Sequence, residues 1–594
     1  MNISKKIVLL FFTAYSSLFA QQSWIRINQL GYQNNAVKNA VFVSLQKEII
    51  LENFEVINAD NDKKVYAGKK IKSFGKYGSF KNSFRLDFSD FISNGKYYIS
   101  ANGIKSSVFR ISNDVYNGTA DFILKYMRQQ RCGYNPTLKD SCHTRDGFIV
   151  DNPEQDSAYV NVTGGWHDAS DYLQYLTTSA TAVYQLLFAY KKNPAAYKDE
   201  FLANGDTGSN GIPDILDEAK WGLDWLNKMN PEYGVMFNQI ADDRDHAGFR
   251  LPGSDTVNYG KGLERPVYFI TGKQQGLAKF KNRSTGVSSS AAKFASAFAL
   301  GSELLKKYYP SFAENIIIKA EESYKFALTD LGVAQTASNV SPYFYEEDNY
   351  VDDLELAAAQ LFLTTKKNEY LDAANYWGKI EPFTPWMGAD TARHYQWYPF
   401  VNLGHYLLAA SSENKKSAEF KYYLNKGLEK IYNKGKTNPF FIGIPFIWCS
   451  NNLIAAALTQ AKLYEEITSE YKYKEMEASL RDWLFGCNPW GTSMIVGLPE
   501  NGDYPAHVHS SLVALEYQQT LGGLVDGPVY GKIFNNLIGI KLFEDDEYKQ
   551  FQSELVVYHD DIGDYSTNEP TMDGTASLSF YLSTLETSGK INKE

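Results

Sequence analysis

The chain has 594 residues, of which 44% are apolar and 22% are charged, so it can bury a large core and exceeds one ordinary domain. Two domains are expected. The formal net charge of −10 argues against nucleic acid as a partner, because such binding needs a basic patch that neutralises phosphates.

The N-terminus has the pattern of a secretory signal peptide. Lys5 and Lys6 precede a mostly apolar run that ends at Ala20, after which cleavage is expected. The run is too short to span a membrane, and no other segment reaches about 18 apolar residues, so no membrane span is predicted. We assign residues 1–20 to the signal peptide and expect the mature protein in the periplasm or outside the cell.

Residues 22–112 contain short segments in which apolar and polar residues alternate, such as 97–100 and 107–110. Asn-Gly turns at Asn94 and Asn102 follow or precede such segments. Regularly spaced short strands of this kind predict a β-sandwich.

From Val115 onward the pattern changes to long segments with helical periodicity. Residues 113–588 are therefore expected to be mostly helical, although periodicity alone fits any large all-α fold. The predicted helices span 115–130, 171–190, 212–229, 291–308, 313–331, 352–363 and 445–463.

A set of two thiols and two imidazoles lies early in this helical region, at Cys132, Cys142, His143 and His167. Thiolates and imidazoles in groups of four make tetrahedral zinc sites, so these residues are candidate zinc ligands. A disulfide between Cys132 and Cys142 is the alternative, because cysteines in an exported protein also suggest bridges.

Residues 164–171 read GGWHDASD and contain two aspartates three positions apart. On a helix start or a tight turn, Asp168 and Asp171 would point to one side and could hold one water molecule between them. The alternative is an N-cap pair for the helix predicted to follow, because aspartate is favoured at that position.

Residues 206–214, DTGSNGIPD, space oxygen ligands every few residues around glycines, which is typical of a calcium loop. The alternative is a solvated turn that caps the following helix. The acidic stretch 348–353 is a second, weaker candidate for calcium. The candidate ligands of the first loop are Asp206, Asn210, Ile212 and Asp214.

Near the C-terminus, residues 564–569 read DYSTNE, within a stretch crowded with aspartates. Neighbouring negative charge and partial burial raise the pKa of a carboxyl group, as a general acid near neutral pH requires. Hydrolysis of a glycosidic bond needs such an acid and, facing it, a carboxylate that activates water or attacks the sugar. A lone glutamate in an acidic loop is more often a solvated surface residue, so the pairing of Glu569 with the aspartates of 164–171 depends on the resemblance that the two motifs carry.

The two motifs together resemble the signatures of glycoside hydrolase family 9, the inverting cellulase family, which usually read GGWxDAGD and DYxxNE. Residues 25–42, IRINQLGYQNNAVKNAVF, resemble the immunoglobulin-like domain that precedes the catalytic module in one branch of that family. The resemblance spans nearly the whole mature chain. It implies an immunoglobulin-like β-sandwich at 22–112 followed by an (α/α)6-barrel catalytic domain at 113–588.

The resemblance also implies roles for single residues: Asp171 as general base, Asp168 as its helper in positioning water, and Glu569 as general acid. Inversion requires room for water between the two carboxyl groups, roughly 6.5–9.5 Å apart. Family members with GGWHD often carry a structural zinc near the catalytic loop, and a family loop similar to 206–214 binds calcium. Substrate contacts are expected from Trp166, Asp245, His246, Arg250, His507, His509 and Tyr565.

The chain departs from the family pattern at three places. Ser170 replaces a glycine, the family's PHHR becomes PAHVHS at 505–510, and its DDRxDY becomes DDIGDY at 560–565. Both longer changes remove an arginine, a residue that helps to orient sugar hydroxyls and tune carboxylates. A β-glucan other than plain cellulose is therefore a candidate substrate.

We expect a secreted glycoside hydrolase of the endoglucanase type that cleaves β-1,4-glucosidic bonds of β-glucans with inversion and needs no organic cofactor. An exo-acting β-glucosidase or β-glucosaminidase is the first alternative, and a shortened cleft would identify it. A non-catalytic carbohydrate-binding protein is the second, although the three carboxylates together argue against it. An (α/α)6 polysaccharide lyase is the third and would need a Tyr, His or Arg base.

Overall fold

The protein is described by a computed structural model that covers residues 22–276, 281–341, 345–380 and 403–591. The predicted signal peptide at 1–20 lies outside these residues.

The N-terminal region is an antiparallel β-sandwich. One sheet has the order β1-β2-β6-β5, and the other has the order β4-β3-β7, with β8 and β9 also paired to β7. Apolar side chains from both sheets fill the space between them, and burial of each large one contributes roughly 1.5–3 kcal/mol. The strands are β1 (Ser23–Arg26), β2 (Asn39–Ser44), β3 (Phe54–Asn58), β4 (Lys64–Gly68), β5 (Ile71–Ser73), β6 (Asn82–Asp87), β7 (Gly95–Ala101), β8 (Ile104–Lys105) and β9 (Phe109–Ile111).

The rest of the described chain is mainly helical. The helices are α1 (Thr119–Phe122), α2 (Leu124–Gln129), α3 (Leu176–Lys192), α4 (Asp214–Met229), α5 (Ser288–Leu305), α6 (Pro310–Ala327), α7 (Val351–Thr365), α8 (Asn368–Ile380), α9 (Leu403–Ala410), α10 (Ser417–Gly435), α11 (Ser450–Thr468), α12 (Lys474–Leu484), α13 (Ser511–Ala514), α14 (Gly531–Phe534), α15 (Met572–Ser577) and α16 (Ser579–Ile591).

Inner and outer helices alternate along the chain. Helices α3, α5, α7 and α11 are buried on nearly all sides, whereas α6 and α10 bury one periodic face. A helix that is buried all round lies in the centre of a large fold, and one with a single apolar stripe covers it from outside. Helix α5 packs against α3, α4, α6 and α7. These contacts with both inner and outer helices are what an arrangement of an inner ring of helices within an outer ring predicts.

The sandwich is fixed to the helical domain by polar contacts that span the sequence. Arg85 donates to a carboxylate oxygen of Glu475 over 2.7 Å and to the carbonyl of Pro439. Asn28 donates to Asp482 over 2.8 Å in a buried position. Because Asn28 and Asp482 satisfy each other away from water, the contact between the two domains is specific.

Short strands position the loops of the helical domain. A four-stranded sheet has the order β12-β15-β14-β13, and β16 pairs with β17 near the C-terminus. These strands are β10 (Gly133–Asn135), β11 (Asp140–Cys142), β12 (Phe148–Val150), β13 (Gln174–Tyr175), β14 (Phe237–Ile240), β15 (Pro266–Phe269), β16 (Leu524–Val525) and β17 (Pro570–Thr571).

The predicted helices at 212–229, 291–308, 313–331, 352–363 and 445–463 correspond to α4, α5, α6, α7 and α11, with ends shifted by a few residues. The predicted helix at 115–130 is divided into α1 and α2. The prediction for 171–190 was wrong at its start: α3 begins at Leu176, because the two preceding residues form β13 and pair with β14. Asp168 and Asp171 therefore lie in a loop before a strand, and the N-cap alternative is excluded.

None of the helices in the described ranges combines the length and the apolar character that crossing a membrane would require.

Candidate active site

Two loops that are far apart in sequence meet in the helical domain. We call residues 164–171 the aspartate loop and residues 564–569 the glutamate loop. The backbone N–H of Ser170 donates to Oε1 of Glu569 over 2.9 Å, and the N–H of Met572 donates to the carbonyl of Asp168 over 3.0 Å. The structure thus brings together the regions that carry the predicted acid and base.

Asp168 is buried beneath the surface of this site. Thr178 donates to its Oδ1 over 2.6 Å, and the hydroxyl of Tyr345 donates to its Oδ2. Burial, with the added charges of Asp573 and Asp171, raises the pKa of Asp168 well above its usual value. Sequence reasoning missed Tyr345, because nothing in its local pattern marks it as a partner of a distant aspartate.

Asp171 is more accessible, with 14% of its side chain exposed. Its Oδ2 lies 3.1 Å from Nε2 of His246, and its Oδ1 accepts the backbone N–H of Leu173. Burial alone would lower the pKa of His246, but the hydrogen bond and charge of Asp171 raise it to about 9. His246 therefore carries a proton at neutral pH and donates to Asp171.

Glu569 is partly buried at the end of the glutamate loop. Its carbonyl accepts the N–H of Asp526 over 2.8 Å. Burial raises the pKa of Glu569, the charge of His509 opposes this shift, and the charge of Asp171 adds to it. The net effect favours the protonated carboxyl, which is the form that can give a proton.

The glutamate loop is held by a buried carboxylate of its own. Asp564 accepts hydrogen bonds from the backbone N–H and the hydroxyl of Ser566 and from the hydroxyl of Thr567, over 2.7–2.9 Å. Nδ1 of His559 lies 2.8 Å from Oδ2 of Asp564, the oxygen that also accepts the hydroxyl of Thr567. Burial alone would raise the pKa of Asp564, but these bonds lower it, so the carboxylate is a stable acceptor for the loop.

The four predicted metal ligands also meet. The ligand atoms of Cys132, Cys142, His143 and His167 all lie within 4.8 Å of one another, and both cysteines are free thiols rather than a disulfide. Among the described residues, buried Nδ1 of His143 has no hydrogen-bond partner, while its Nε2 lies 3.0 Å from Asp255. A buried set of two thiols and two imidazoles, one of them anchored by a carboxylate, fits a metal ion.

Arg265 joins the metal-ligand group to the aspartate loop. This fully buried guanidinium forms a two-bond ion pair with Asp146 at 2.9 and 2.6 Å and donates to Sγ of Cys132 over 3.6 Å. It also donates to the carbonyl of Tyr172 and, over 2.7 Å, to the side chain of Gln174. The sequence analysis did not identify Arg265, since its partners come from separate parts of the chain.

Three residues expected to contact sugar have other partners. Trp166 is fully buried, and its indole N–H donates to Glu218 over 2.9 Å. Asp245 is also fully buried and accepts from the N–H of Tyr172 over 2.6 Å and from Arg250 over 2.7 Å. Side chains without exposed surface cannot touch a sugar in this conformation, so the predictions for Trp166 and Asp245 are corrected to structural roles.

Arg250 is likewise engaged by carboxylates. Besides its bond to Asp245, its Nε donates to Asp255 over 2.8 Å, and its guanidinium lies 4.8 Å from the ring centre of Tyr172. Because Asp255 in turn contacts His143, Arg250 belongs to the network between the metal-ligand group and the aspartate loop. Part of its side chain stays accessible, and its contact with sugar stays a prediction.

Three further predicted substrate contacts lie around the glutamate loop, whereas His246 lies beside Asp171. His507 is exposed, and His509 is half-buried, with its ring 6.1 Å from that of Tyr565. The ring of Tyr565 lies 5.6 Å from Trp448, whose indole N–H donates to Asp526. Trp448, which the sequence analysis missed, forms with Tyr565 a half-buried aromatic pair near Glu569.

The candidate calcium ligands in loop 206–214 accept hydrogen bonds or form ion pairs with protein groups. The carboxylate of Asp206 pairs with Lys139, and Asn210 accepts the N–H of Ile212 over 2.9 Å. Buried Asp214 accepts two backbone N–H groups over 3.1 and 2.9 Å. Calcium at this loop stays a prediction.

The second candidate for calcium, at 348–353, is occupied by an ammonium group. Buried Lys293 donates to Glu347 over 2.9 Å and to Asp353 over 2.7 Å. These ion pairs engage Asp353, one carboxylate of this stretch, and calcium there stays a prediction.

Comparisons with known proteins agree with this architecture. The family model described as Glycosyl hydrolase family 9 matches residues 116–582, and the one described as Cellulase N-terminal ig-like domain matches residues 20–106. A cellodextrinase of Butyrivibrio fibrisolvens is 28% identical, over 94% of this chain and 99% of its own. A xyloglucan-specific endo-beta-1,4-glucanase of Bacteroides ovatus is 24% identical, over 95% of this chain and 93% of its own.

Among solved structures, a metagenome-derived glycoside hydrolase family 9 endoglucanase has a TM-score of 0.76 and 24% identity, covering 95% of this chain and 99% of that chain. A zinc-binding triple mutant of a family 9 endoglucanase has a TM-score of 0.75 and 23% identity, covering 93% of this chain and 99% of that chain. The predicted fold, an immunoglobulin-like sandwich followed by an (α/α)6 barrel, is confirmed.

Proposed function

Because the chain belongs to glycosyl hydrolase family 9 and is a glycoside hydrolase, we propose that it cleaves β-1,4-glucosidic bonds of β-glucans with inversion. The observation that carries the proposal is the hydrogen bond from Ser170 to Glu569, which joins the two carboxylate loops at one site. The names of the relatives, a cellodextrinase and a xyloglucan-specific endo-beta-1,4-glucanase, support a β-1,4-glucan as substrate.

In the proposed reaction Glu569 gives its proton to the glycosidic oxygen as the bond to the anomeric carbon breaks. Water attacks that carbon from the opposite face and loses a proton to Asp171, so the product has the inverted anomeric configuration. Burial raises the pKa of Glu569, which favours the protonated form that this step needs. Asp171 takes the role of base because it is the more accessible of the two aspartates, whereas Asp168 is held below it by Thr178.

We also propose that Cys132, Cys142, His143 and His167 bind one zinc ion. Its role is structural, because four protein ligands leave no open position for substrate or water. The buried Nδ1 of His143 and the mixed thiol and imidazole donor set support the assignment. The zinc supplies no step of the reaction; it fixes the chain at His167, next to Asp168.

The signal-peptide pattern at 1–20 supports a further part of the proposal, that the protein is exported to the periplasm or the outside of the cell. Soluble oligosaccharides are a second candidate substrate, because one relative over nearly the full length is named a cellodextrinase.

Product analysis tests the substrate. The purified enzyme is incubated with cellulose, mixed-linkage β-glucan, xyloglucan, glucomannan, cello-oligosaccharides and chitosan oligosaccharides, and the products are separated by size over time. Endo action releases mixed intermediate lengths at once, whereas exo action releases one short product from the start. Absence of hydrolysis on every β-1,4-glucan would contradict the proposal.

Proton NMR of fresh products tests the stereochemistry. Water attack opposite the leaving group releases the α-anomer first from a β-linked substrate, before mutarotation mixes the anomers. Initial release of the β-anomer would exclude inversion and, with it, the role of Asp171 as general base.

A further inference from the structure

A pocket of about 500 Å³ lies beside the candidate active site. Its lining comes from two segments, 506–519 and 543–562. The volume falls within the range of about 300–1,000 Å³ that is typical of small-molecule sites.

The pocket shares a wall with the catalytic site. His507 lines it, and the carbonyl of His507 accepts the side-chain N–H of Asn568 over 3.0 Å. Ile562 also lines it, and its carbonyl lies 2.6 Å from Nδ1 of His509. Since Asn568 is next to Glu569 in the chain, this wall of the pocket is joined to the loop that carries the proposed acid.

The lining combines an exposed aromatic ring with free polar groups. Phe543 is 62% exposed, although it is a large apolar side chain. The side chains of His507, Glu516 and Gln518 form no hydrogen bond with any part of the chain that the structure describes. One face of a sugar ring is apolar and packs on an aromatic face, while its hydroxyl groups need such unengaged donors and acceptors.

The charge of the pocket limits what it can bind. Glu516, Glu544 and Asp561 contribute carboxyl groups, and neither lysine nor arginine occurs among its lining residues. An anionic ligand would be repelled by these groups, whereas a neutral sugar would not.

The backbone that carries the aromatic ring is held in place by hydrogen bonds within the protein. The carboxylate of Asp561 accepts the backbone N–H groups of Phe543 and Glu544 over 2.9 Å and that of Gly563 over 2.7 Å. A site whose backbone is already held in place loses less entropy when it binds.

We propose that this pocket binds one neutral sugar unit of the substrate, with its ring against Phe543 and its hydroxyl groups on His507, Glu516 and Gln518. The inference rests on the proposed β-glucan hydrolysis and extends it. The unit can come from two sources with the same chemistry, a further glucose of the β-1,4-linked chain or a xylose branch on that chain.

The test compares Phe543→Ala with a matched control, Tyr517→Ala. Tyr517 is an aromatic residue that is 51% exposed and adjoins the lining residues without lining the pocket itself. Values of kcat/KM are measured on 4-nitrophenyl β-cellobioside, cellohexaose and a xyloglucan oligosaccharide. We expect Phe543→Ala to lower kcat/KM on one of the two longer substrates about threefold to tenfold more than on the short one, mainly through KM, whereas Tyr517→Ala has no such effect.

The longer substrate on which the loss occurs identifies the source. A loss on cellohexaose points to a glucose of the chain, and a loss on the xyloglucan oligosaccharide alone points to the branch. Calorimetry with Glu569→Gln as the background measures binding without turnover, and the affinity should fall by a similar factor when Phe543→Ala is added. If the wild type is active and the two alanine variants have equal kcat/KM on every substrate, the proposal that the pocket binds sugar is overturned. The proposed function is not affected by that result. A wild type that hydrolyses no β-glucan would overturn the proposed function itself.

Discussion

The aspartate loop and the glutamate loop face the same site but are fixed in different ways. Each is followed closely by a two-residue strand, β13 or β17. The aspartate loop is held mainly from outside, by the metal-ligand group and by Arg265, whose partners are distant in sequence. The glutamate loop is held mainly from within, by Asp564 bonding to residues two and three positions later. Changes to a distant partner should therefore disturb the first loop and spare the second.

The largest effect is expected from Glu569→Gln, which removes the proposed acid without altering how its loop is held. We expect kcat on unactivated β-glucans to fall by about 10²–10⁴-fold, because general acid catalysis contributes that much. Calorimetry should show that oligosaccharide binding is largely kept, since the side-chain volume barely changes. Glu554→Gln, at an exposed glutamate, is the matched control. Retention of more than about a tenth of wild-type kcat would contradict the assignment.

Cys142→Ser tests the external support of the aspartate loop. The loss of one thiolate should abolish tight zinc binding and lower the free energy of unfolding by more than about 2 kcal/mol, because the binding energy of a structural metal is also folding energy. Activity should fall together with stability, since His167 adjoins Asp168. Elemental analysis, thermal unfolding and initial rates measure the three effects.

Cys487→Ser is the control for this prediction, because Cys487 is also buried and free but lies outside the metal-ligand group. That variant should keep its zinc. A wild-type protein without zinc, in which thiol titration finds Cys132 and Cys142 oxidised to each other, would replace the metal site with a disulfide.

Asp564→Asn tests the internal support of the glutamate loop. The amide keeps the shape of the carboxylate but loses its charge and turns one acceptor into a donor, so bonds from Ser566, Thr567 or His559 are lost. We expect a loss of stability of about 1–3 kcal/mol and a lower kcat, with zinc content unchanged. Loss of zinc in this variant would show that the two loops are not held independently.

The same difference explains how much could be predicted from the sequence. The Asp-Tyr-Ser-Thr pattern of the glutamate loop is local, and so is the composition of the metal-ligand group, which Cys and His residues mark clearly. Arg265, Tyr345 and Asp255 act through partners in other parts of the chain, and no local pattern marks them.

Burial and strand pairing account for most of the remaining errors. The sequence placed Trp166 and Asp245 at the sugar, because it cannot tell a residue beneath the site from one at its surface. It also extended a helix to Asp171, because the pairing of β13 with β14 overrides the local helical pattern.

The smallest effect concerns a contact of the aspartate loop that depends on a proton, between His246 and Asp171. Because the pKa of His246 is raised to about 9 in the folded protein, its stabilising contribution is complete below the unfolded value of about 6.5 and is lost as the pH rises through 9. With 40% of the His246 side chain exposed, solvent screens the pair, and we expect about 0–1 kcal/mol. Urea unfolding at pH 6 and pH 10 measures the pH dependence of stability, which His246→Asn should reduce by this amount and His507→Asn, at an exposed histidine, should leave unchanged. An unchanged pH dependence in His246→Asn would mean that the ion pair of His246 with Asp171 does not stabilise the fold, and that the aspartate loop is held by its metal-ligand group and its other hydrogen bonds.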